Sequence, residues 1–330
     1  MSDVSIQNLI YKPISENLDI VIREIINESE QVPKNASGIG DRLQHILSVP
    51  GKRIRPAITL LCAGLWENKI DKLVLKMAIA VELLHIATLV HDDTVDKADT
   101  RRGHATASNL WGRNIAVLLG DHIFATSAMY VCETGNIRLI KRFAETISEL
   151  ACGELDEILS TWQTNTTVDL YNKRIYNKTA TLFSTAALGG AILGGASNED
   201  VLNLREYGYN LGMAYQIYDD ILDYTSTADK LGKPSGNDLL SGVITLPAII
   251  AYENGCKELI DDYVKSSKFE QQTNIHQVIS KIKNTGSVKI AKKIADEHIL
   301  KTKKKLSNLP NNENLKSLKL LSDYIADRSY

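Results

Sequence analysis

Apolar residues recur at helical spacing through most of the chain. Residues 72–93, KLVLKMAIAVELLHIATLVHDD, form a long apolar run without Pro or Gly, far longer than an ordinary strand. Similar stretches predict helices over residues 53–66, 113–132, 137–160, 170–193, 199–224 and 238–252, with several amphipathic helices from Lys257 onward. Turn signals fall between them at Pro50-Gly51, Thr134-Gly135-Asn136, Gly194-Gly195, Gly232-Lys233-Pro234-Ser235-Gly236 and Leu309-Pro310-Asn311-Asn312. There is no alternation of strand type and no βαβ rhythm, so the expected class is an all-α helical bundle. The segments that look chemical lie between Gly51 and Thr245 with no linker dividing them, which predicts one domain over residues 1–330. Within it, residues 1–40 read as an N-terminal helical segment and residues 260–330, Lys-rich on one face, as a solvated helical cap.

Composition narrows the class. A chain of 330 residues, 44% hydrophobic, can bury a large core. Its formal charge of -2 argues against nucleic acid as a partner, so any cationic site is local. Cys62, Cys132, Cys152 and Cys256 are scattered and form no CxxC pair, which fits small thiols in a reducing cytoplasm. The N-terminal stretch lacks the pattern of a signal peptide, and residues 183–196, rich in Gly and Ala, are too short to span a bilayer. Close helix–helix packing accounts for that run, and no transmembrane segment is expected.

Two segments share one pattern: HDDTVD at residues 91–96 and YDDILD at residues 218–223. Each places Asp at i, i+1 and i+4, so Asp92 and Asp96 share a helix face, as do Asp219 and Asp223. The carboxylates repel one another and end apolar helices, where negative charge opposes the helix dipole. Divalent cations would remove that repulsion. Oxygen-only ligands favour Mg²⁺, Ca²⁺ or Mn²⁺ over zinc, and Mg²⁺ fills its remaining positions with water and substrate phosphate. One such cluster could be a solvated helix end; two copies point to a diphosphate held through Mg²⁺ between two acidic helices.

Such a ligand also needs protein cations. GKRIRP at residues 51–56 places Lys52 and Arg55 three apart, and DTRRGHAT at residues 99–106 puts Arg101 and Arg102 in a loop that Gly103 closes. Arg offers bidentate phosphate recognition and Lys a point charge. His85 lies two helical turns before Asp92 and can donate to a phosphate oxygen.

Taken together, GKRIRP, ELLHIATLVHDDTVDKADTRRG, LLGDHIF, YNKTATLF, YQIYDDILDY, LGKPSGNDLL and TLP resemble the motifs of the trans-isoprenyl diphosphate synthases, the polyprenyl synthetase family, in that family's order. The resemblance implies an all-α bundle of the isoprenoid synthase type with a central active-site cavity, two or three Mg²⁺ ions (Mn²⁺ as a substitute) and a homodimer. Lys52, Arg55, His85 and Arg102 would hold isopentenyl diphosphate. Asp92, Asp96, Asp219 and Asp223, with Asp93 and Asp220 in support, would carry the metal. Arg101, Lys178, Thr179, Gln216 and Lys233 would grip the allylic diphosphate. The allylic substrate, farnesyl or geranylgeranyl diphosphate, would ionise and be attacked by isopentenyl diphosphate, giving a chain five carbons longer plus pyrophosphate.

The product's length depends on what lies beneath the first acidic cluster. Thr88 and Ala87, four and five residues before Asp92, lie about 5.4 Å deeper along the helix. Family members that stop at short products carry a large aromatic ring at this level, so Ala87 implies a long product, hexaprenyl to decaprenyl. Ala125, Ala128, Met129 and Cys132 are candidate tunnel walls, although each is also ordinary core material. One departure stands out: many relatives read GKPTLP where this chain has GVITLP, so Val243 replaces a Lys. GNDLLSGVITLP resembles instead the larger, catalytic subunit of two-component heptaprenyl synthases, which makes a heterodimer with a smaller chain the alternative assembly. The rival functions are a geranylgeranyl diphosphate synthase, a class I terpene cyclase, and a non-catalytic partner subunit. The second intact DDxxD argues against the last two.

Overall fold

The protein is described from a computed structural model covering residues 3–32, 38–66, 70–225 and 236–327. Its helices are α1 (Asp3–Tyr11), α2 (Ser15–Asn27), α3 (Ile39–Leu47), α4 (Ile54–Ala63), α5 (Lys72–Val95), α6 (Ala107–Trp111), α7 (Arg113–Cys132), α8 (Ile137–Leu159), α9 (Val168–Ile175), α10 (Thr181–Leu193) and α11 (Asn198–Thr225). Shorter and C-terminal helices follow at Asn237–Leu240, Leu246–Ala251, Lys257–Lys265, Lys268–Asn284, Ser287–Lys305 and Glu313–Ala326. The all-α expectation holds. Among the described residues strand occurs only in a two-stranded antiparallel hairpin, β1 (Thr100–Arg101) and β2 (His104–Ala105). Backbone packing divides the chain into two compact units.

The first unit comprises Met1–Glu145, Thr185–Arg205 and Leu309–Leu318. Its central helix is α5, packed against α2, α4 and α7. Asp71 starts α5 by accepting the backbone N–H groups of Leu73 and Val74 at 2.9 and 3.0 Å, two donors a helix cannot satisfy internally. Burial then covers α5 nearly all round, from Val74 to Val90, which explains an apolar run with no polar face. The small-residue run in α10 packs as expected. Gly189 faces Met77, and a Cβ on Gly190 would collide with the Thr59 carbonyl oxygen. By length and composition α5 and α7 could each cross a membrane, but 67% of the α5 window is buried inside the protein, as in a core helix.

The second unit comprises Thr146–Ser184, Glu206–Asn308 and Lys319–Tyr330. Here Leu246–Ala251 packs against α9 and Ser287–Lys305, and Asn237–Leu240 against Lys268–Asn284. The helix predicted over residues 238–252 is broken. Gly242 has φ 80° and lies against the Trp162 ring, and Thr245 is extended ahead of Pro247, whose missing N–H suits the first turn of a new helix. Between α9 and α10 the residues Tyr176–Ala180 form a π-helical turn, a bulge that re-aims Lys178 and Thr179 relative to a regular helix.

Candidate active site

In the first unit, the C-terminal half of α5 supplies His85, Asp92 and Asp93, and Asp96 follows as its C-cap. The three carboxylates are not equivalent. Asp93 is buried at 7% exposure, and Arg101 Nε donates to both its oxygens at 2.8 Å while Nη2 lies 2.7 Å from Oδ1. Burial lowers the Arg101 guanidinium's pKa, but Asp93, with Asp92 and Asp96 behind it, outweighs that and holds it raised. Asp96 is exposed and Asp92 half-buried, one turn apart on one face. The hairpin that follows turns through Arg102 at φ 51° and Gly103 at φ 81°, so adjacent arginines diverge. Arg102 Nη1 donates to the Pro50 carbonyl at 2.9 Å, which brings the hairpin to the GKRIRP segment.

Between these elements lies a pocket lined by Arg53, Glu82, His85, Asp93, Arg101 and Arg102, among others. Burial pushes the His85 imidazole well below its ordinary pKa, and Arg55, Arg102, Arg101 and Arg53 push it further in the same direction. His85 is therefore neutral at physiological pH, a hydrogen-bond donor among four guanidinium groups. Such a field attracts a polyanion.

The second unit repeats the arrangement of Asp side chains with different partners. On α11, Asp220 is buried at 4% exposure, accepting Tyr171 Oη at 2.6 Å and Gln216 Nε2 at 2.8 Å. Burial raises the Asp220 carboxyl to about 7, against the lowering effect of those two hydrogen bonds. Thr179 Oγ1 donates to Gln216 Oε1 at 2.6 Å, so the π-turn and the acidic helix are joined through one amide. Lys178 Nζ pairs with Glu154 at 3.1 Å and with Glu157. Asp219 is partly exposed on the same helix. Asp223 caps the next helix, one oxygen accepting Asn237 N–H at 3.0 Å and the other Asp238 N–H at 3.1 Å. Asp238 is held well above the usual carboxylate range by burial and by the charges of Asp223 and Asp220.

Several expectations change at this level. Asp93 and Asp220 anchor protein groups, and Asp223 carries a cap in addition to any ligand. Ala87 is fully buried in α5 and the Thr88 hydroxyl bonds back to the His85 carbonyl at 2.8 Å. Ala128 is half-buried, but Met129 is 61% exposed and Cys132 is exposed, on an outward face of α7, so as tunnel walls within one chain they are a poor fit. Lys233 lies outside the described residues. Sequence reasoning missed Glu82, Tyr171 and Asp238. Glu82 had a signal, a lone charge inside an apolar helix; Tyr171 had none, since its partner is 49 residues away.

Among the described residues no three His, Cys, Asp or Glu side chains gather into a ready-made metal cage. In each unit the donors suit hard ions that take one or two carboxylates and leave positions to water and phosphate: Asp92 with Asp96 in the first, Asp219 in the second.

A polyprenyl synthetase family profile matches residues 37–282, from before GKRIRP to well past the second acidic helix. The chain belongs to the polyprenyl synthetase family. Heptaprenyl diphosphate synthase component 2 of Geobacillus stearothermophilus is 36% identical over 325 residues, 97% of this chain and 98% of that protein. The crystal structure of a decaprenyl diphosphate synthase from Rhodobacter capsulatus superposes with a TM-score of 0.89 at 31% identity, covering 98% of this chain and 99% of that one. A polyprenyl synthase from Caulobacter crescentus CB15, crystallised with calcium and isoprenyl diphosphate, superposes with a TM-score of 0.87 at 28% identity over 98% of each chain. As a polyprenyl synthetase the chain is an all-α prenyltransferase of isoprenoid biosynthesis.

Proposed function

We propose that this polyprenyl synthetase condenses isopentenyl diphosphate with an allylic diphosphate, farnesyl or geranylgeranyl, to give a long all-trans polyprenyl diphosphate and pyrophosphate. The observation that carries the reading is the doubled acidic motif. In each copy a middle Asp is buried on a protein partner, Arg101 or Tyr171 with Gln216, while the outer carboxylates are less buried, Asp96 exposed and Asp92, Asp219 and Asp223 half-buried. That division suits metal-assisted diphosphate chemistry, with Asp92, Asp96 and Asp219 holding Mg²⁺ and Asp223 in support. Bound there, Mg²⁺ neutralises the charge that develops on the leaving diphosphate.

The chain's own groups do the rest. Lys52, Arg55, His85 and Arg102 bind isopentenyl diphosphate, His85 donating as a neutral imidazole. Arg101, oriented by Asp93, acts on the allylic diphosphate with Lys178, Thr179, Gln216 and Lys233. The allylic C–O bond breaks and leaves an allylic cation and pyrophosphate. The double bond of isopentenyl diphosphate supplies the electron pair of the new C–C bond, and the proton then lost passes to pyrophosphate. No protein nucleophile is required. The buried faces around the acidic helices exclude the water that would quench the cation.

A long product is supported by Ala87, which carries no bulk at the level below Asp92, and by the heptaprenyl and decaprenyl synthases among the similar proteins. The working assembly is a homodimer in the cytoplasm. Similarity to a protein named component 2 supports a second chain as the alternative. The deciding assay supplies the purified chain with labelled isopentenyl diphosphate, farnesyl diphosphate and Mg²⁺ and sizes the dephosphorylated products. A ladder ending at a long polyprenol is expected. A stop at geranylgeraniol would overturn the product length, elongation only on adding a second component would replace the homodimer, and a cyclic hydrocarbon would sink the reaction itself.

A further inference from the structure

The segment that carries Lys52 and Arg55 has no regular structure of its own until α4 begins at Ile54. Within it Arg53 sits at φ 51°, in the left-handed region that a residue with a side chain adopts at a cost. Something must hold it there. Arg53 Nη1 donates to Glu82 Oε1 at 2.7 Å and Nη2 to the Val49 carbonyl at 3.1 Å. The neighbouring residue is tied as well, for the Tyr11 hydroxyl donates to the Lys52 carbonyl oxygen at 2.7 Å.

Glu82 is 3% exposed and sits in the apolar run of α5, three residues before His85 and on about the same face. A lone buried carboxylate is costly, so pairing to Arg53 compensates Glu82 and at the same time fixes the strained residue between Lys52 and Arg55. It also keeps a negative charge in the pocket wall from repelling an anion. Tyr11 ends α1, a helix that lies before the region matched by the family profile. Its hydroxyl reaches a backbone carbonyl, and through it the placement of the Lys52 side chain.

We propose that Glu82 and Tyr11 are positioning residues for isopentenyl diphosphate: through Arg53 and the Lys52 carbonyl they set the segment so that Lys52 and Arg55 meet the diphosphate together with His85. The proposal rests on the assignment of this pocket to isopentenyl diphosphate. The test is steady-state kinetics of the full-length chain as Tyr11→Phe, Glu82→Gln and Lys52→Ala, varying each substrate in turn, with thermal unfolding followed in parallel. Tyr11→Phe and Glu82→Gln should each raise KM for isopentenyl diphosphate by about tenfold while kcat and the allylic KM stay within about twofold. A change confined to kcat or to the unfolding midpoint, or an equal rise of both KM values, would show the two residues to be structural only. Lys52→Ala separates the two layers. If it leaves KM for isopentenyl diphosphate unchanged, the pocket assignment itself is wrong and the proposal goes with it. Tyr11→Phe removes a single oxygen, so it remains informative even where Glu82→Gln does not fold.

Discussion

Within each acidic motif the three Asp residues do different things, and their substitutions should differ accordingly. Asp92→Ala and Asp219→Ala remove carboxylates proposed to hold Mg²⁺ and should lower kcat by about 10³-fold, because the ion they would hold neutralises the leaving diphosphate. Asp93 acts through Arg101, whose guanidinium it holds by both oxygens. Asp93→Ala and Arg101→Ala should therefore be strongly coupled, with the double variant little worse than either single one in kcat/KM. Additive losses would show that they act separately. His85 yields a prediction about pH. Its folded pKa lies below the ordinary 6.5 because of burial and four arginines, so on acidification the unfolded chain takes up the proton first. The stability that neutral His85 contributes is present above about 6.5 and declines as pH falls below it, by at most about 1.4 kcal/mol per pH unit. Unfolding midpoints measured from pH 8 to pH 5 should fall less steeply in His85→Gln than in the parent. Parallel curves would refute the shift.

At the scale of elements, helix–helix contact is tight where small residues face backbone. Adding a methyl at Gly190 drives it into the Thr59 carbonyl, which a flexible side chain cannot relieve. Gly190→Ala should destabilise by about 1–3 kcal/mol, read as a drop in the unfolding midpoint with the product pattern unchanged. Ala87→Phe tests the other use of small size: it should shorten the product ladder, seen by chromatography, while the first condensation continues. The helices were legible because apolar periodicity and turn residues alternate cleanly, as from Asp71 through α5. The break after Leu240 was not, since Val243, Ile244 and Leu246 read as one apolar run, and what ends the helix is Gly242 packed against Trp162. The β1–β2 hairpin is too short to leave a pattern. For the site, spacing revealed which carboxylates gather but not which of them are spoken for. Asp93 finds Arg101 eight residues on, yet Asp220 finds Tyr171 and Glu82 finds Arg53 only through the fold.

For the whole molecule, the chemistry needs two diphosphates treated differently, and the charges of the chain are distributed to match. In the pocket of the first unit proposed for isopentenyl diphosphate, His85 is neutral beside the charges of Arg55, Arg102, Arg101 and Arg53, Arg101 being the one proposed for the allylic diphosphate. Arg53 and Arg101 pair with Glu82 and Asp93, and Arg102 donates to the Pro50 carbonyl. The carboxylates Asp92, Asp96 and Asp219, by contrast, repel a diphosphate unless a divalent ion intervenes. Metal removal should then separate the substrates. In titration calorimetry with a chelator present, Kd for isopentenyl diphosphate should stay within about threefold of its value in Mg²⁺, because Lys52 and Arg55 act as permanent charges. Farnesyl diphosphate should weaken by about 10²-fold or more under the same conditions, and turnover should cease. Asp92→Ala should reproduce the chelated pattern with Mg²⁺ present. Equal weakening of both substrates on chelation would mean that the two sites share their metal, and the division between a cationic pocket and a metal-dependent one would have to be abandoned.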